Sequence, residues 1–194
     1  MSMWVPVALS RDVPAGTTLG TIVQDREIVV WREEGGALHA WEDRCPHRGM
    51  RLSRGFVRGD RLGCLYHGWR FDADGACRLM PAHPDGRIGA SARVGTYFCA
   101  EAGAVIFVSL EKDGCGPQGD GTARPLRSMT LLAPVATVRS AIAAGLPDGL
   151  VVAVQQVGAC ETVLHATLAA EHAGLAAEMD FFLRDLRTRT EAGA

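Results

Sequence analysis

The sequence predicts a mainly β amino-terminal domain followed by a small α+β carboxy-terminal unit. Short apolar runs alternate with turn residues through the first part of the chain, whereas helical spacing of apolar residues occurs only in the last part. Between them lies a Gly- and Pro-rich stretch that is typical of a linker. We therefore predict a domain over 1–112, a linker over 113–125 and a small unit over 126–194.

The first domain is predicted to consist of antiparallel strands joined by tight turns. Strand-like segments at 28–31 and 37–41 flank the turn 33–36 and predict a hairpin. A last pair of strands is predicted at 94–99 and 104–110. Further turn signals lie at 58–60, 72–75 and 84–86.

The carboxy-terminal unit is predicted to contain a helix, a hairpin and a second helix. Apolar residues share one helical face over 134–144, and Gly145 stands where that helix would end. Segments 150–157 and 162–168 then predict a hairpin. The final helix is predicted from the spacing of Leu175, Met179, Phe182 and Leu186.

Composition argues against several classes of partner. The 194-residue chain is 47% hydrophobic, enough to fill a core, and its net charge of -2 gives no general attraction to nucleic acid. No apolar stretch approaches the roughly 20 residues that span a bilayer, and 1–9 lacks the basic start of a signal peptide. We therefore predict a cytoplasmic protein with no membrane or nucleic-acid partner, in which the six cysteines form no disulfides.

Two short segments each combine a cysteine with a histidine. Cys45 and His47 form C-x-H, sixteen residues follow, and Cys64 and His67 form C-x-x-H. Each segment offers one soft thiolate and one imidazole, which predicts that the two loops hold a metal centre between them. A structural zinc site is an alternative, although zinc modules usually group like ligands together. Buried cysteines and hydrogen-bonded histidines without any metal are the other alternative.

The residues around these pairs resemble a known family. CPHRG at 45–49 and CLYHGWRFD at 64–72 resemble the two cluster-binding boxes of Rieske non-haem iron oxygenases and Rieske ferredoxins. Segments 4–8 and 101–108 are similar to the first and last strands of that family. The resemblance implies that the first domain is a Rieske domain, in which antiparallel sheets carry two cluster-binding loops.

The resemblance also implies a cofactor, a Rieske [2Fe-2S] cluster. Cys45 and Cys64 would bind one iron through thiolates, and His47 and His67 would bind the other through imidazoles. This mixed ligation raises the reduction potential above that of an all-cysteine cluster.

Side chains beside these ligands are predicted to shield the cluster or to contact partners. Tyr66 and Trp69 would cover it, and Arg48 would take part in docking. An arginine-rich segment is predicted to steer an acidic reductase or ferredoxin towards the cluster by electrostatic attraction. The alternative is that these arginines only form a solvated loop face. Its members are Arg44, Arg48, Arg51, Arg54, Arg58 and Arg61.

The leading functional hypothesis is electron transfer as a component or small subunit of a Rieske non-haem iron oxygenase system. The resemblance implies a catalytic oxygenase subunit and a reductase or ferredoxin donor as partners, within a hetero- or homo-oligomer. Catalytic subunits of this family bind a mononuclear iron through two histidines and a carboxylate. Beyond the linker this chain has only two histidines, which we expect to be solvated or to face a partner: His165 and His172, near Glu171, Glu178 and Asp180.

Two other functions stay open on the sequence alone. One is a shortened but complete oxygenase that performs hydroxylation or demethylation, and the other is a cluster-binding interaction or regulatory module. The remaining candidate ligands are given ordinary roles: Cys77, Cys99 and Cys160 as small packing residues, Cys115 as an exposed linker thiol, and His39 and His83 as surface side chains.

Overall fold

The computed structural model describes residues 3–111, 116–119 and 121–193, so Cys115 lies outside the described residues. Within them the strands are β1 (Val5–Leu9), β2 (Thr18–Val23), β3 (Arg26–Arg32), β4 (Leu38–Glu42), β5 (Phe56–Arg58), β6 (Arg61–Gly63), β7 (Arg70–Phe71), β8 (Cys77–Leu79), β9 (Thr96–Ala102), β10 (Val105–Ser109), β11 (Arg124–Leu131), β12 (Leu150–Gly158) and β13 (Glu161–Leu168). The α-helices are α1 (Val135–Ala143) and α2 (Ala176–Ala192), and 3-10 helices occupy Ser10–Asp12, Leu52–Arg54 and Ala170–Leu175. The predicted fold class is confirmed.

The described residues divide into two compact units. The first unit consists mainly of 12–99 with 108–111, and the second unit combines 4–11 and 100–107 with the described residues from 116 onwards. The second unit therefore contains β1 and parts of β9 and β10 in addition to the predicted tail. The domain limits given by the sequence stay a prediction.

The largest sheet is antiparallel, with the strand order β1-β10-β9-β4-β3-β2. The predicted hairpin is present as β3 and β4, which pair from Ile28 opposite Glu42 to Arg32 opposite Leu38. Consecutive residues of β3 are fully buried, so both faces of this strand are covered. β4 ends at Glu42, directly before the segment that carries the first Cys-His pair.

Four short strands form a second sheet in the first unit, with the order β5-β6-β7-β8. Gly63 at the end of β6 pairs with Arg70 at the start of β7, so the second Cys-His segment connects two adjacent strands. One hydrophobic cluster lies beneath both Cys-His segments and includes Trp31, Trp41, Leu52, Leu62 and Phe71 together with Cys45 and Cys64.

The second unit contains a three-stranded antiparallel sheet with the order β11-β13-β12. The predicted hairpin is present as β12 and β13. The strand β11 was not predicted, and it begins at Arg124, inside the stretch assigned to the linker. Its sequence alternates polar Ser128 and Thr130 with Met129 and Leu131, which belong to the core cluster. The Gly- and Pro-rich residues directly before it are typical of a linker, so this strand-like alternation was not recognised.

The final helix buries Met179 and Leu186 as predicted, but its buried stripe does not include Leu175. Because Ala170–Leu175 forms a 3-10 helix, α2 begins only at Ala176, and Leu175 is 37% exposed. The prediction for Leu175 was therefore wrong, and Phe182 is only partly buried. The buried stripe follows the helical spacing i, i+4, i+7 and i+11 and consists of Met179, Leu183, Leu186 and Thr190.

The helices in these described ranges give no sign of a membrane span, since none is both long and apolar enough to cross a bilayer.

Candidate metal centre

The two Cys-His segments fold into loops with the same internal hydrogen bonds. In each, the cysteine N–H donates to the carbonyl five residues later, and the glycine N–H four residues later donates back to the cysteine carbonyl. The bonds are Cys45 N to Met50 O (2.8 Å) and Gly49 N to Cys45 O (2.8 Å), and Cys64 N to Trp69 O (2.8 Å) and Gly68 N to Cys64 O (3.0 Å). Both glycines have positive φ, 72° at Gly49 and 70° at Gly68, a region that side chains disfavour.

The two thiols lie together at the inner end of the loops. Cys45 and Cys64 are 3% and 2% exposed, and Cys64 is close enough to raise the pKa of the Cys45 thiol. Burial raises the pKa of the Cys45 thiol to about 11; N–H groups of His47 and Arg48 point at its sulfur and oppose the rise, and Cys64 adds to it. A metal that binds here must displace the proton, and these N–H groups would then stabilise the thiolate.

The two imidazoles lie together nearer the solvent. The rings of His47 and His67 have centroids 4.6 Å apart, and His67 is exposed. Trp69 stacks on His47 with centroids 4.5 Å apart and planes 2° apart, and Tyr66 lies over His67 at 3.9 Å. Burial, together with the positive charges of His67 and Arg48, lowers the pKa of His47, which keeps its imidazole neutral and suited to bind a metal.

The arrangement in two pairs suits two metal ions better than one. In the portion of the chain that the structure describes, no three His, Cys, Asp or Glu side chains are grouped to hold one ion. A zinc ion would need four ligands around a single position. In a Rieske cluster each iron takes only two protein ligands, two thiolates on one and two imidazoles on the other. The buried thiol pair and the more exposed imidazole pair fit that division.

The arginine-rich segment is largely exposed, but part of its charge is already paired. Arg51 forms an ion pair with Glu27, and Arg61 Nε lies 3.6 Å from Asp60 Oδ1. Arg48 is exposed and close enough to lower the pKa of the neighbouring imidazole. Its positive charge therefore contributes to the lowered pKa of His47.

The two histidines beyond the linker differ from each other. His165 is 2% exposed, with Nδ1 3.0 Å from Ser128 Oγ and Nε2 3.1 Å from Gln155 Oε1. The expectation of a solvated or partner-facing His165 is wrong, because the strands on either side supply hydrogen-bond partners. His172 is partly exposed, with Nε2 3.5 Å from Asp148 Oδ2.

Glu171 Oε1 lies 3.9 Å from His172 Nδ1, but these acidic residues and histidines form no group of three that could hold a metal ion within the described residues. Glu171 and Glu178 are exposed. Asp180 forms ion pairs with Arg127 (2.5 Å) and Arg184 (2.7 Å).

The remaining cysteines occupy three different environments. Cys77 is buried, as predicted for a packing residue. Cys99 is partly buried and donates to Leu38 O at 3.2 Å, and burial raises the pKa of its thiol to about 11. Cys160 is exposed in the turn between β12 and β13, so its predicted packing role is wrong.

The remaining histidines, His39 and His83, differ in their exposure to solvent. His83 is exposed, as predicted. His39 is partly buried, stacks on Trp31 with centroids 4.4 Å apart and lies 2.7 Å from Glu33 Oε1. The prediction of a surface side chain at His39 is wrong, because Trp31 covers one face of its ring.

One buried acidic residue beside the first loop was not predicted from the sequence. Asp43 is 3% exposed, and its carboxylate accepts hydrogen bonds from the N–H of Ser53 (2.6 Å) and from Ser53 Oγ (2.5 Å). An acidic residue between a strand end and a loop usually faces solvent, and its partner here is ten residues further along the chain. No local pattern could therefore have indicated it.

A β scaffold that presents a buried thiol pair and an outer imidazole pair over one core fits an iron–sulfur domain with mixed ligation. Residues 3–97 match the family model of the Rieske [2Fe-2S] domain. The chain therefore carries a Rieske domain, and such a domain implies a [2Fe-2S] cluster.

Its relatives include members of Rieske non-haem iron oxygenase families. The chain is 37% identical over 111 residues to the oxidoreductase NdmD of Pseudomonas putida, a match that covers 57% of this chain and 19% of NdmD. It is 36% identical over 109 residues to the 3-chlorobenzoate-3,4-dioxygenase oxygenase subunit of Comamonas testosteroni, covering 55% of this chain and 25% of that protein. The chain thus spans about a fifth to a quarter of the length of these two relatives.

A solved structure extends the likeness in fold. The crystal structure of apo dicamba monooxygenase superimposes with a TM-score of 0.79 at 16% identity, over 98% of this chain and 85% of that chain. At this identity the comparison shows a similar fold.

Proposed function

We propose that this protein is an electron-transfer component or small subunit of a Rieske non-haem iron oxygenase system. The observation that carries the proposal is the convergence of the two loops, with Cys45 and Cys64 buried in one cluster inside and the ring centroids of His47 and His67 4.6 Å apart outside. These four side chains are the proposed ligands. The domain limits 1–112 and 126–194 belong to the same proposal.

The chain's residues divide the work of such a component. A bound Rieske cluster supplies reversible one-electron chemistry at a raised potential. Cys45 and Cys64 would anchor it within the hydrophobic core, where they are shielded from solvent. His47 and His67 would hold its outer side, and exposed Tyr66 beside them offers an aromatic contact for a redox partner.

The proposed partners are a catalytic oxygenase subunit and a reductase or ferredoxin donor. Two relatives support this choice by name, an oxidoreductase and the oxygenase subunit of a dioxygenase. The exposed Arg48 beside the imidazole pair favours an acidic donor. A hetero- or homo-oligomer and a cytoplasmic location are further parts of the proposal, and the described cysteines, all free thiols, support a reducing compartment.

A shortened oxygenase is the weaker alternative. Such an enzyme would need two histidines and a carboxylate around one iron. His165 instead hydrogen-bonds inside its sheet to Ser128 and Gln155, and His172 lies on the 3-10 helix Ala170–Leu175 beside Asp148. This placement favours the electron-transfer role.

The test is metal analysis of the anaerobically purified chain together with two matched pairs of variants. We expect about two irons per chain and, after reduction with dithionite, an electron paramagnetic resonance signal of a reduced [2Fe-2S] centre. Cys64→Ser and His67→Ala should lose this signal. Cys77→Ser and His83→Ala should keep it, since Cys77 is buried elsewhere in the same core and His83 is exposed.

Three outcomes would contradict the proposal. A colourless parent protein would show that no cluster is bound. A third iron per chain, together with oxygen-dependent hydroxylation by the chain alone, would favour the shortened oxygenase. A cluster that binds but passes no electron to an added acceptor such as cytochrome c would favour an interaction or regulatory module.

A further inference from the structure

The two ligand loops are alike inside but are closed at their ends in different ways. The second loop runs from Cys64 to Trp69, and its flanking residues Gly63 and Arg70 pair directly as neighbours on β6 and β7. The backbone ladder of a sheet therefore holds both ends of this loop together.

The first loop has no such ladder among its described flanking residues. It leaves β4 after Glu42, and β4 pairs with β3 and β9, whereas the chain after the loop enters the 3-10 helix Leu52–Arg54. The two ends are joined instead by a side chain. Asp43 accepts two hydrogen bonds from Ser53, at 2.6 Å from its N–H and 2.5 Å from its Oγ.

Both ends of this link are tied to the large sheet. The N–H of Asp43 donates to Glu27 O on β3 at 2.9 Å, and Thr18 Oγ1 on β2 donates to Ser53 O at 2.8 Å. A second tie across the same region, the ion pair between Arg51 and Glu27, leaves both side chains more than half exposed. Exposed pairs contribute little, whereas a buried carboxylate that loses its donors is costly, so the Asp43 link is the stronger of the two.

We infer that Asp43 is a positioning residue for the metal centre. It closes the loop that carries Cys45 and His47, as the β6–β7 ladder closes the loop that carries Cys64 and His67. The inference rests on the proposed ligand set. The carboxylate accepts its two hydrogen bonds from Ser53, beyond the loop, and so it fixes the two points from which the first loop projects, and thereby the placement of one thiol and one imidazole.

The experiment compares Asp43→Ala, Asp43→Asn and Ser53→Ala with a matched control, Ser109→Ala. Ser109 is 1% exposed and its Oγ donates to Glu111 O at 2.9 Å, so the control likewise removes one hydroxyl hydrogen bond, from a serine that is more buried than the partly buried Ser53. The measurements on the iron-loaded proteins are the g values of the reduced centre, the rate of iron loss to a chelator, and the thermal unfolding midpoint.

We expect Asp43→Ala to lose iron about tenfold faster than the parent and to show shifted g values. Asp43→Asn should lie between the two, because its amide keeps one acceptor for the Ser53 N–H. Ser53→Ala should lose iron about threefold faster, the rate equivalent of one ordinary hydrogen bond. Ser109→Ala should match the parent in g values and in the rate of iron loss, even if its unfolding midpoint falls as far as that of Ser53→Ala.

The inference is overturned if Ser53→Ala and Asp43→Asn have the g values and iron-loss rate of Ser109→Ala. If Asp43→Ala does not fold, these two variants decide the question. A parent protein that holds no cluster would refute the proposed function, whereas a loaded parent with unresponsive variants would refute only the role of Asp43.

Discussion

Removal of the indole that stacks on His47 should raise the reduction potential of the bound centre. Trp69 lies parallel to His47, with ring planes 2° apart and centroids separated by 4.5 Å. An imidazole bound to oxidised iron carries more positive charge than one bound to reduced iron, and the negative face of the indole favours that positive charge. Trp69 therefore stabilises the oxidised state, and Trp69→Ala should make reduction easier.

The size of this shift follows from the energy of the stack. Aromatic pairs of this geometry contribute about 0.5–1.5 kcal/mol. For one electron, a tenfold change in equilibrium corresponds to about 59 mV and about 1.4 kcal/mol. If the whole stacking energy favours one oxidation state, the potential rises by about 20–65 mV. Entry of water at the vacated position acts in the same direction, because water favours the more negative reduced form.

The assay is a redox titration followed by absorbance and electron paramagnetic resonance. Trp69→Phe keeps an aromatic ring on His47 and should shift the potential less than Trp69→Ala does. Phe98→Ala is the control, since Phe98 is an aromatic residue of the same unit that is 42% exposed. An unchanged or lower potential in Trp69→Ala, or an equal shift in Phe98→Ala, would refute the reasoning.

Three further predictions concern docking and stability. Arg48→Gln should slow reduction by an acidic donor severalfold at low salt and by less at high salt, as stopped-flow kinetics would show; equal rates at all salt concentrations would contradict steering. Leu183→Ala should lower the free energy of unfolding by about 2–5 kcal/mol in urea titrations because Leu183 is fully buried, whereas Leu175→Ala, at a 37% exposed position, should cost less than about 1 kcal/mol. Two arginines hold the pKa of Asp180 below its usual 3.8, so its ion pairs stabilise the protein above about pH 4 and are lost as the pH falls through the lowered pKa. Asp180→Asn should therefore reduce stability by up to about 1 kcal/mol at pH 6 and by progressively less as the pH falls below about 4, and Glu178→Gln on the same helix should have little effect throughout.

Local patterns were sufficient to predict the loops and the main hairpin. The Cys-His segments and their glycines lie within a few residues of each other, so their spacing in the sequence already limits where their side chains can meet. The pairing of β3 with β4 follows from two apolar runs around a short turn, a signal that needs no distant partner.

The features that the sequence did not predict depend on residues far apart in the chain. His165 finds Ser128 37 residues away and Gln155 ten residues away, so its burial could not be inferred from its neighbours. Asp43 likewise depends on a serine beyond the loop. In α2 the error was in the starting point, because a 3-10 helix ahead of Ala176 carries Leu175, which therefore lies outside the buried stripe that includes Met179 and Leu186.

The hydrogen-bonded row of Ser128, His165 and Gln155 has a consequence for how the small sheet can assemble. The imidazole lies on one face of β13, while Leu164 and Leu168 lie on the other, within the apolar cluster. A slip by one residue would exchange these faces, placing the ring among hydrocarbon with both nitrogens unpaired and turning the leucines outward. These three polar side chains thus restrict the strands to a single register, whereas purely aliphatic side chains at the same positions would tolerate other registers.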